Sequence, residues 1–149
     1  MATILLPPEF KRLLSGLRSE SVEYLVVGGY AVIYHGYVRT TGDLDIRVKP
    51  SPENAAKVEQ AIRSLDFNPP GLRAEWFTRK GSVLRIGQEP LRFDIINDID
   101  GVNFAECFER RAVANLDGIE VNFINLPDLK KNKKSAGRNK GLADLDYLP

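Results

Sequence analysis

Apolar residues recur at Phe10, Leu13, Leu14 and Leu17, and this helical spacing predicts a helix over Pro8–Ser19 with proline in its first turn. A second stripe, Ala55, Val58, Ala61, Ile62 and Leu65, follows Ser51-Pro52-Glu53, where a capping hydroxyl, a first-turn proline and an acid mark a helix start. The pattern between them is different. EYLVVGG, from Glu23, is a continuous apolar run ending in glycines, which predicts a buried strand broken by a tight turn, with a short helix from Tyr30 to Tyr37. DLDIRVK, from Asp43 to Lys49, alternates carboxylate with aliphatic. As a strand it turns Asp43 and Asp45 to one face and Leu44 and Ile46 to the other.

Farther along, Val83–Ile86 and Leu91–Ile96 read as two strands joined by 87–90, the second placing Asp94 between Phe93 and Ile95. The preceding segment, Phe67 to Lys80, holds Pro69-Pro70-Gly71 and no clean period, and reads as a loop. Gly101–Arg111 fits a helix with Phe104, Cys107 and Phe108 on one side. Asp117-Gly118, between Ala112–Leu116 and Glu120–Ile124, is a strong hairpin signal. The last stretch, LPDLKKNKKSAGRNKGLADLDYLP, is basic and then resumes a leucine spacing at Leu142, Leu145 and Leu148, which predicts two short helices broken near Gly137 and Gly141. Strands interleave with helices throughout. The fold class expected is therefore α/β or α+β: a mixed central sheet of about five strands flanked by helices.

A length of 149 residues fits one domain, 1–149, and leaves little room for a second. The net charge of +1 excludes strong overall steering toward nucleic acid or membrane, so any charge argument is local. Cys107 is the only cysteine, which rules out an intrachain disulfide and a multi-cysteine zinc site and makes a cytoplasmic setting the default expectation. The start, MATILLPPEF, has an apolar stretch too short for a secretory signal, and no apolar run approaches the ~20 residues that span a bilayer. These features predict a soluble protein with no membrane partner.

The alternating aspartates carry the chemistry. Two carboxylates at i and i+2 on a strand project side by side and can share a divalent cation, whose charge offsets their repulsion. Asp94 is the third candidate, because an ionised group inside a buried strand is costly unless paired or metal-bound. Asp98 and Asp100 lie beyond that strand and read as solvated. Carboxylate and water ligands suit magnesium rather than zinc. Gly28 and Gly29, where a strand hands over to a helix, offer backbone N–H groups to a phosphate. Arg39 could pair with phosphate or hold the Asp43–Asp45 segment, and Thr40 or Thr41 could donate a hydrogen bond. His35, without a cysteine or second histidine nearby, reads as a cap for the short helix or an orienting group for Arg39 rather than a base. LKKNKK is a solvated helix face or a nucleotide or RNA contact, Trp76, Phe77 and Tyr30 read as core or pocket wall, and Cys107 as a small buried apolar residue.

Val27-Gly28-Gly29, the spacer from Tyr30 to Gly42, Asp43-Leu44-Asp45 and the later Asp94 together resemble the signature of the nucleotidyltransferase fold of the DNA polymerase beta superfamily. The finer pattern, GGYAV…HG..RTTGDLDI, is similar to a compact prokaryotic branch related to the abortive-infection type nucleotidyltransferase toxins. So is the tail, with Asn132-Lys133, Gly137-Arg138, Lys140 and Asp144-Leu145. The chain departs from that tail at Gly141, where the branch usually has an aspartate.

The resemblance implies a minimal nucleotidyltransferase fold in which the helical segment 127–148 closes the site. It also implies two-metal transfer of a nucleoside monophosphate from an NTP to a hydroxyl, with release of pyrophosphate. Asp43 and Asp45 would ligate both metals, and Asp94 would hold the catalytic one and help deprotonate the acceptor. The metal would be magnesium, with manganese as a possible substitute. Gly28 and Gly29 would contact the triphosphate, Lys133 and Arg138 would face the nucleotide, and Asp144 would steady them. The acceptor would be RNA, protein or a small molecule. The settings implied are a toxin with an antitoxin partner, an antibiotic-type transferase, or a nucleotide-binding module with weak catalysis, an option that Gly141 keeps open.

Overall fold

The structure, a computed structural model, describes residues 6–37, 41–65, 69–79, 81–88 and 91–149. The first helix, α1 (Pro8–Ser19), buries Phe10, Leu13, Leu14 and Leu17, the stripe read from the sequence. Strand β1 (Tyr24–Val27) is buried at every position, which is why its sequence runs apolar instead of alternating. It passes directly into α2 (Gly28–Tyr34). That helix starts two residues before the predicted Tyr30 and stops three before Tyr37. The left-handed Gly36, at φ 117°, prevents further winding, and His35 is the C-cap, its Nε2–H donating to the Ile124 carbonyl at 2.7 Å.

Strand β2 (Asp43–Val48) follows, with Leu44, Ile46 and Val48 buried and Asp43, Asp45 and Arg47 half-buried. Helix α3 (Pro52–Arg63) opens on Ser51, whose hydroxyl accepts from the Asn54 N–H at 3.2 Å. Asn54 itself is buried and binds both backbone groups of Glu23 and the Lys49 carbonyl, fastening the helix to the ends of β1 and β2. Most of the predicted loop before β3 is irregular, but Ala74–Phe77 forms a 3-10 turn that buries Phe77, with Trp76 packed partly against the core. The antiparallel pair β3 (Val83–Gln88) and β4 (Leu91–Ile96) is next; β3 runs two residues past Ile86, and 89–90 lie outside the described residues.

Helix α4 (Phe104–Glu109) is shorter than the predicted Gly101–Arg111. Gly101 is left-handed at φ 80°, and the Asn103 side chain caps the Glu106 N–H, so the helix cannot begin earlier. Cys107 is buried beside Asp128, and burial followed by the Asp128 charge pushes its thiol up to about 12, so it serves as a core residue. The hairpin β5 (Ala112–Leu116) and β6 (Ile119–Phe123) turns at Asp117 and Gly118, both at positive φ, as expected of Asp-Gly. Helices α5 (Leu126–Ala136) and α6 (Asn139–Leu145) complete the chain. Only Gly137, at φ 66°, breaks them; Gly141 lies inside α6, with no positive φ to stop it.

Among the described residues the mixed sheet has six strands, where about five were expected, in the order β3-β4-β2-β1-β6-β5. The β1–β6 and β2–β4 pairs are parallel and the others antiparallel. Helices α1 and α3 pack against each other beside the sheet, where Phe10 meets Phe93 of β4 and Tyr30 of α2 edge to face. No helix among the described residues is long and apolar enough to cross a membrane.

Candidate active site

Register brings the two halves of the sequence motif together. In the antiparallel β1–β2 pair Val27 stands opposite Asp45, so the chain leaves β1 directly over the Asp45 side chain. Gly28 makes that turn at φ 66°, and a β-carbon there would collide with the Asp45 carboxylate. The glycine is required both for its conformation and for the space it leaves. In the parallel β2–β4 pair Asp45 is abreast of Asp94 and Asp43 of Arg92, and across β3–β4 Asp94 faces Arg85. One sheet face therefore carries Asp43, Asp45 and Arg47 on β2, Arg92 and Asp94 on β4, and Arg85 on β3.

A cavity of about 240 Å³ opens on this face. Its floor is Gly28, Gly29, Thr41, Asp43, Asp45 and Arg47; α5 and α6 supply the opposite wall with Asn132, Lys133, Arg138, Gly141 and Asp144. Of the residues singled out from the sequence, Gly28, Gly29, Thr41, Asp43, Asp45, Lys133 and Arg138 meet in this cavity. Thr41 Oγ1 donates to the Asp43 carbonyl at 3.3 Å. Asp94 stands beside Asp45 on the next strand, and Arg39 and Thr40 lie outside the described residues. Lys133 is buried and pairs with the buried Asp144 at 3.1 Å, so its ammonium joins α5 to α6 as well as lining the cavity. A β-carbon at Gly141 would meet the Lys133 side chain at ordinary contact distance, 3.7 Å, so this wall accepts a β-carbon without displacement.

The electrostatics are those of acids held among arginines. Arg92 Nη2 lies 3.1 Å from Asp43 Oδ2, and Asp94 Oδ1 is 3.4 Å from Arg85 Nε and 3.8 Å from Arg92 Nε. Asp94 is buried, and its Oδ1 accepts no hydrogen bond. Burial pushes the Asp45 carboxyl above its ordinary range; Arg47 pulls it back, and the neighbouring charges of Asp94 and Asp43 raise it further. Arg47 is shifted down, first by burial and then by Arg138, against the pull of Asp45.

A divalent cation suits this donor set chemically: three carboxylates on one face, one with a buried oxygen that accepts no hydrogen bond and another made costly to ionise by its surroundings. The side chains do not form a ready-made cage. Among the described residues, no three acidic, histidine or cysteine side chains are grouped to hold a metal ion, and Arg92 would have to release Asp43 for one to form.

Sequence reasoning missed Arg47, Arg85 and Arg92. Arg47 was within reach, since the alternation that aims Asp43 and Asp45 continues to position 47. Arg85 and Arg92 depend on strand pairing. Asp100, read as solvated, is exposed but also lines the cavity, in a loop fastened to α5 by Asn132 Nδ2 donating to the Asp100 carbonyl at 3.2 Å.

The architecture is a mixed sheet that sets a strand–glycine turn over alternating carboxylates, with a third acid on the parallel neighbour. A solved structure shares the fold: the crystal structure of a Thermotoga maritima protein provisionally described as a nucleotidyltransferase superposes with a TM-score of 0.63, covering 96% of this chain and 94% of that one. At 15% identity, that likeness establishes the fold. No family model matches the sequence, and no curated protein sequence matches it.

Proposed function

We propose that this chain is a magnesium-dependent nucleotidyltransferase, moving a nucleoside monophosphate from an NTP to a hydroxyl acceptor. The observation that carries the reading is the seating of Gly28 on the Asp45 carboxylate with Asp94 abreast, which makes the glycine turn and the acids one device. Asp43, Asp45 and Asp94 would hold the metal, which, when bound, neutralises phosphate charge and polarises the α-phosphorus. Gly28 and Gly29 leave the backbone open to the triphosphate, and Arg138 faces it from the far wall. The acceptor oxygen bonds to the α-phosphorus as the bond to the bridging α–β oxygen breaks, and pyrophosphate leaves with that electron pair. Asp94, abreast of Asp45, would take the acceptor proton.

The open face beside Asp94 carries Arg85, about two-thirds exposed, and Arg92. Two guanidinium groups there favour an anionic acceptor, such as an RNA end, over a polycationic small molecule. In that setting the protein acts as the toxin of a toxin–antitoxin pair, and its expression arrests growth unless Asp43 is replaced by alanine. The test is transfer of label from α-labelled NTPs, with magnesium, to RNA, to protein and to an aminoglycoside. Label on RNA with wild type and none with Asp45→Asn supports the reading. No label on any acceptor, with NTP binding unchanged in Asp45→Asn, overturns it.

The Arg92–Asp43 pair favours a second reading, a nucleotide-binding module in which a guanidinium replaces the metal. Under it, Arg92→Gln weakens NTP binding in EDTA; under the first, that variant leaves metal-dependent binding intact.

A further inference from the structure

Arg47 has an unusual position. It continues the polar face of β2, two residues beyond Asp45, and lines the floor of the cavity. Its Nε and Nη1 are shielded from solvent and donate no hydrogen bond. Buried donors left unmet are costly, and those of a guanidinium, charged at any physiological pH, more so. Asp45, Asp94 and Asp100 are near enough to act on it through their charge, yet none accepts from either nitrogen. The strand explains part of this: same-face neighbours are held about 6.6 Å apart, which keeps the Asp45 carboxylate alongside Arg47 rather than in front of it.

A second cation faces the same cavity. Arg138, from the start of α6 on the opposite wall, repels Arg47 across the space between them. Two like charges converging on one cavity, one with unsatisfied donors, are both relieved by an anion bound between them. Planar guanidinium groups match the oxygens of phosphate, as they do those of carboxylate, with paired hydrogen bonds.

We propose that Arg47 is a phosphate-binding residue, forming with Arg138 a two-sided clamp on the triphosphate tail of the nucleotide. The identity of the anion as a nucleotide tail rests on the nucleotidyltransferase reading above. The same β2 face then supplies both partners of the substrate tail: carboxylates for its counter-cation at Asp43 and Asp45, and a guanidinium for its oxygens at Arg47.

Calorimetric titration of the full chain with inorganic tripolyphosphate in EDTA tests the clamp without metal or turnover. Wild type binds, Arg47→Met binds about tenfold or more weakly, as loss of a charge-assisted hydrogen bond requires, and Arg47→Lys recovers part of the difference. A residue that merely holds the fold would lower Tm on removal; Arg47→Met leaves Tm at or above the wild-type value, because unmet buried donors are removed. Absence of wild-type binding, or equal binding by Arg47→Met, overturns the proposal. Should Arg47→Met fail to fold, the wild-type Arg47 Nε–H resonance, assigned through Arg47→Lys, replaces it: a shift on adding tripolyphosphate supports the clamp, and an unmoved resonance overturns it. The transfer assay separates the two claims. Label transfer with unweakened binding in Arg47→Met removes the clamp and keeps the enzyme, whereas weakened binding without transfer in wild type does the reverse.

Discussion

Leu44, Ile46 and Val48 alternate along β2 with Asp43, Asp45 and Arg47, and the two sets of neighbours live under opposite rules. The first set is at most 1% exposed and packed into the core. The second is half-buried, carries a carboxyl raised by burial, and includes two guanidinium nitrogens with nothing to bind. One face lowers the free energy of the fold; the other raises it and keeps polar groups ready for something that is not part of the chain. The polar face of β2 is thus a local instability that the neighbouring positions offset.

The comparison breaks most sharply at Asp45. Asp45→Asn is expected to reduce nucleotidyl transfer by on the order of 10³-fold, measured as label incorporated per folded molecule. Its stability moves the other way. Because the folded-state carboxyl is raised above its ordinary value of 3.8, the stability it contributes is present below that pH and lost as pH rises through the folded-state value. At neutral pH the ionised form burdens the fold, so Asp45→Asn raises Tm there, and the gain disappears below the ordinary carboxylate range. A Tm lowered by Asp45→Asn at neutral pH would erase the contrast between the faces.

On the apolar face, Ile46→Ala is expected to cost about 3–4 kcal/mol in denaturant unfolding while leaving transfer per folded molecule unchanged. Gly28→Ala joins the two faces: the added carbon strikes the Asp45 carboxylate and the residue must hold positive φ, for about 2 kcal/mol of stability together with loss of transfer. The smallest effect lies far from both. Lys11 and Asp117 pair at 2.8 Å on a largely exposed surface, and Lys11→Ala should change stability by no more than about 0.5 kcal/mol.

How much of this could be read from the chain follows from the range of the forces involved. Helices α1 and α3, the alternation of β2 and the Asp-Gly hairpin are dictated by near neighbours, and their residues announce them. The ends of α2 and α4 were misplaced because left-handed backbone at Gly36 and Gly101 and the Asn103 cap override the apolar period. At the candidate site, the two glycines and the acids were visible as residue types. That Gly28 exists to clear Asp45 was not, since it depends on Val27 meeting Asp45 across a strand pair. Arg92 beside Asp43 and Arg85 beside Asp94 are products of register between strands far apart in sequence. Arg47 stood in plain view, but that its Nε and Nη1 donate no hydrogen bond is a property of its surroundings and not of its spacing.

The parallel contact of Val26 with Phe123 has a consequence in time. It ties the strand that leads into the glycine turn to one made much later in synthesis, and the cavity wall from Asn132 to Asp144 comes later still. Pairings between distant segments form late, after the cost of closing the intervening chain has been met. A nascent chain, its acids already exported from the ribosome, has no pocket in which to use them; nucleotidyl transfer, on the reading proposed, switches on only when α5 and α6 dock, whatever the cell's supply of nucleotide.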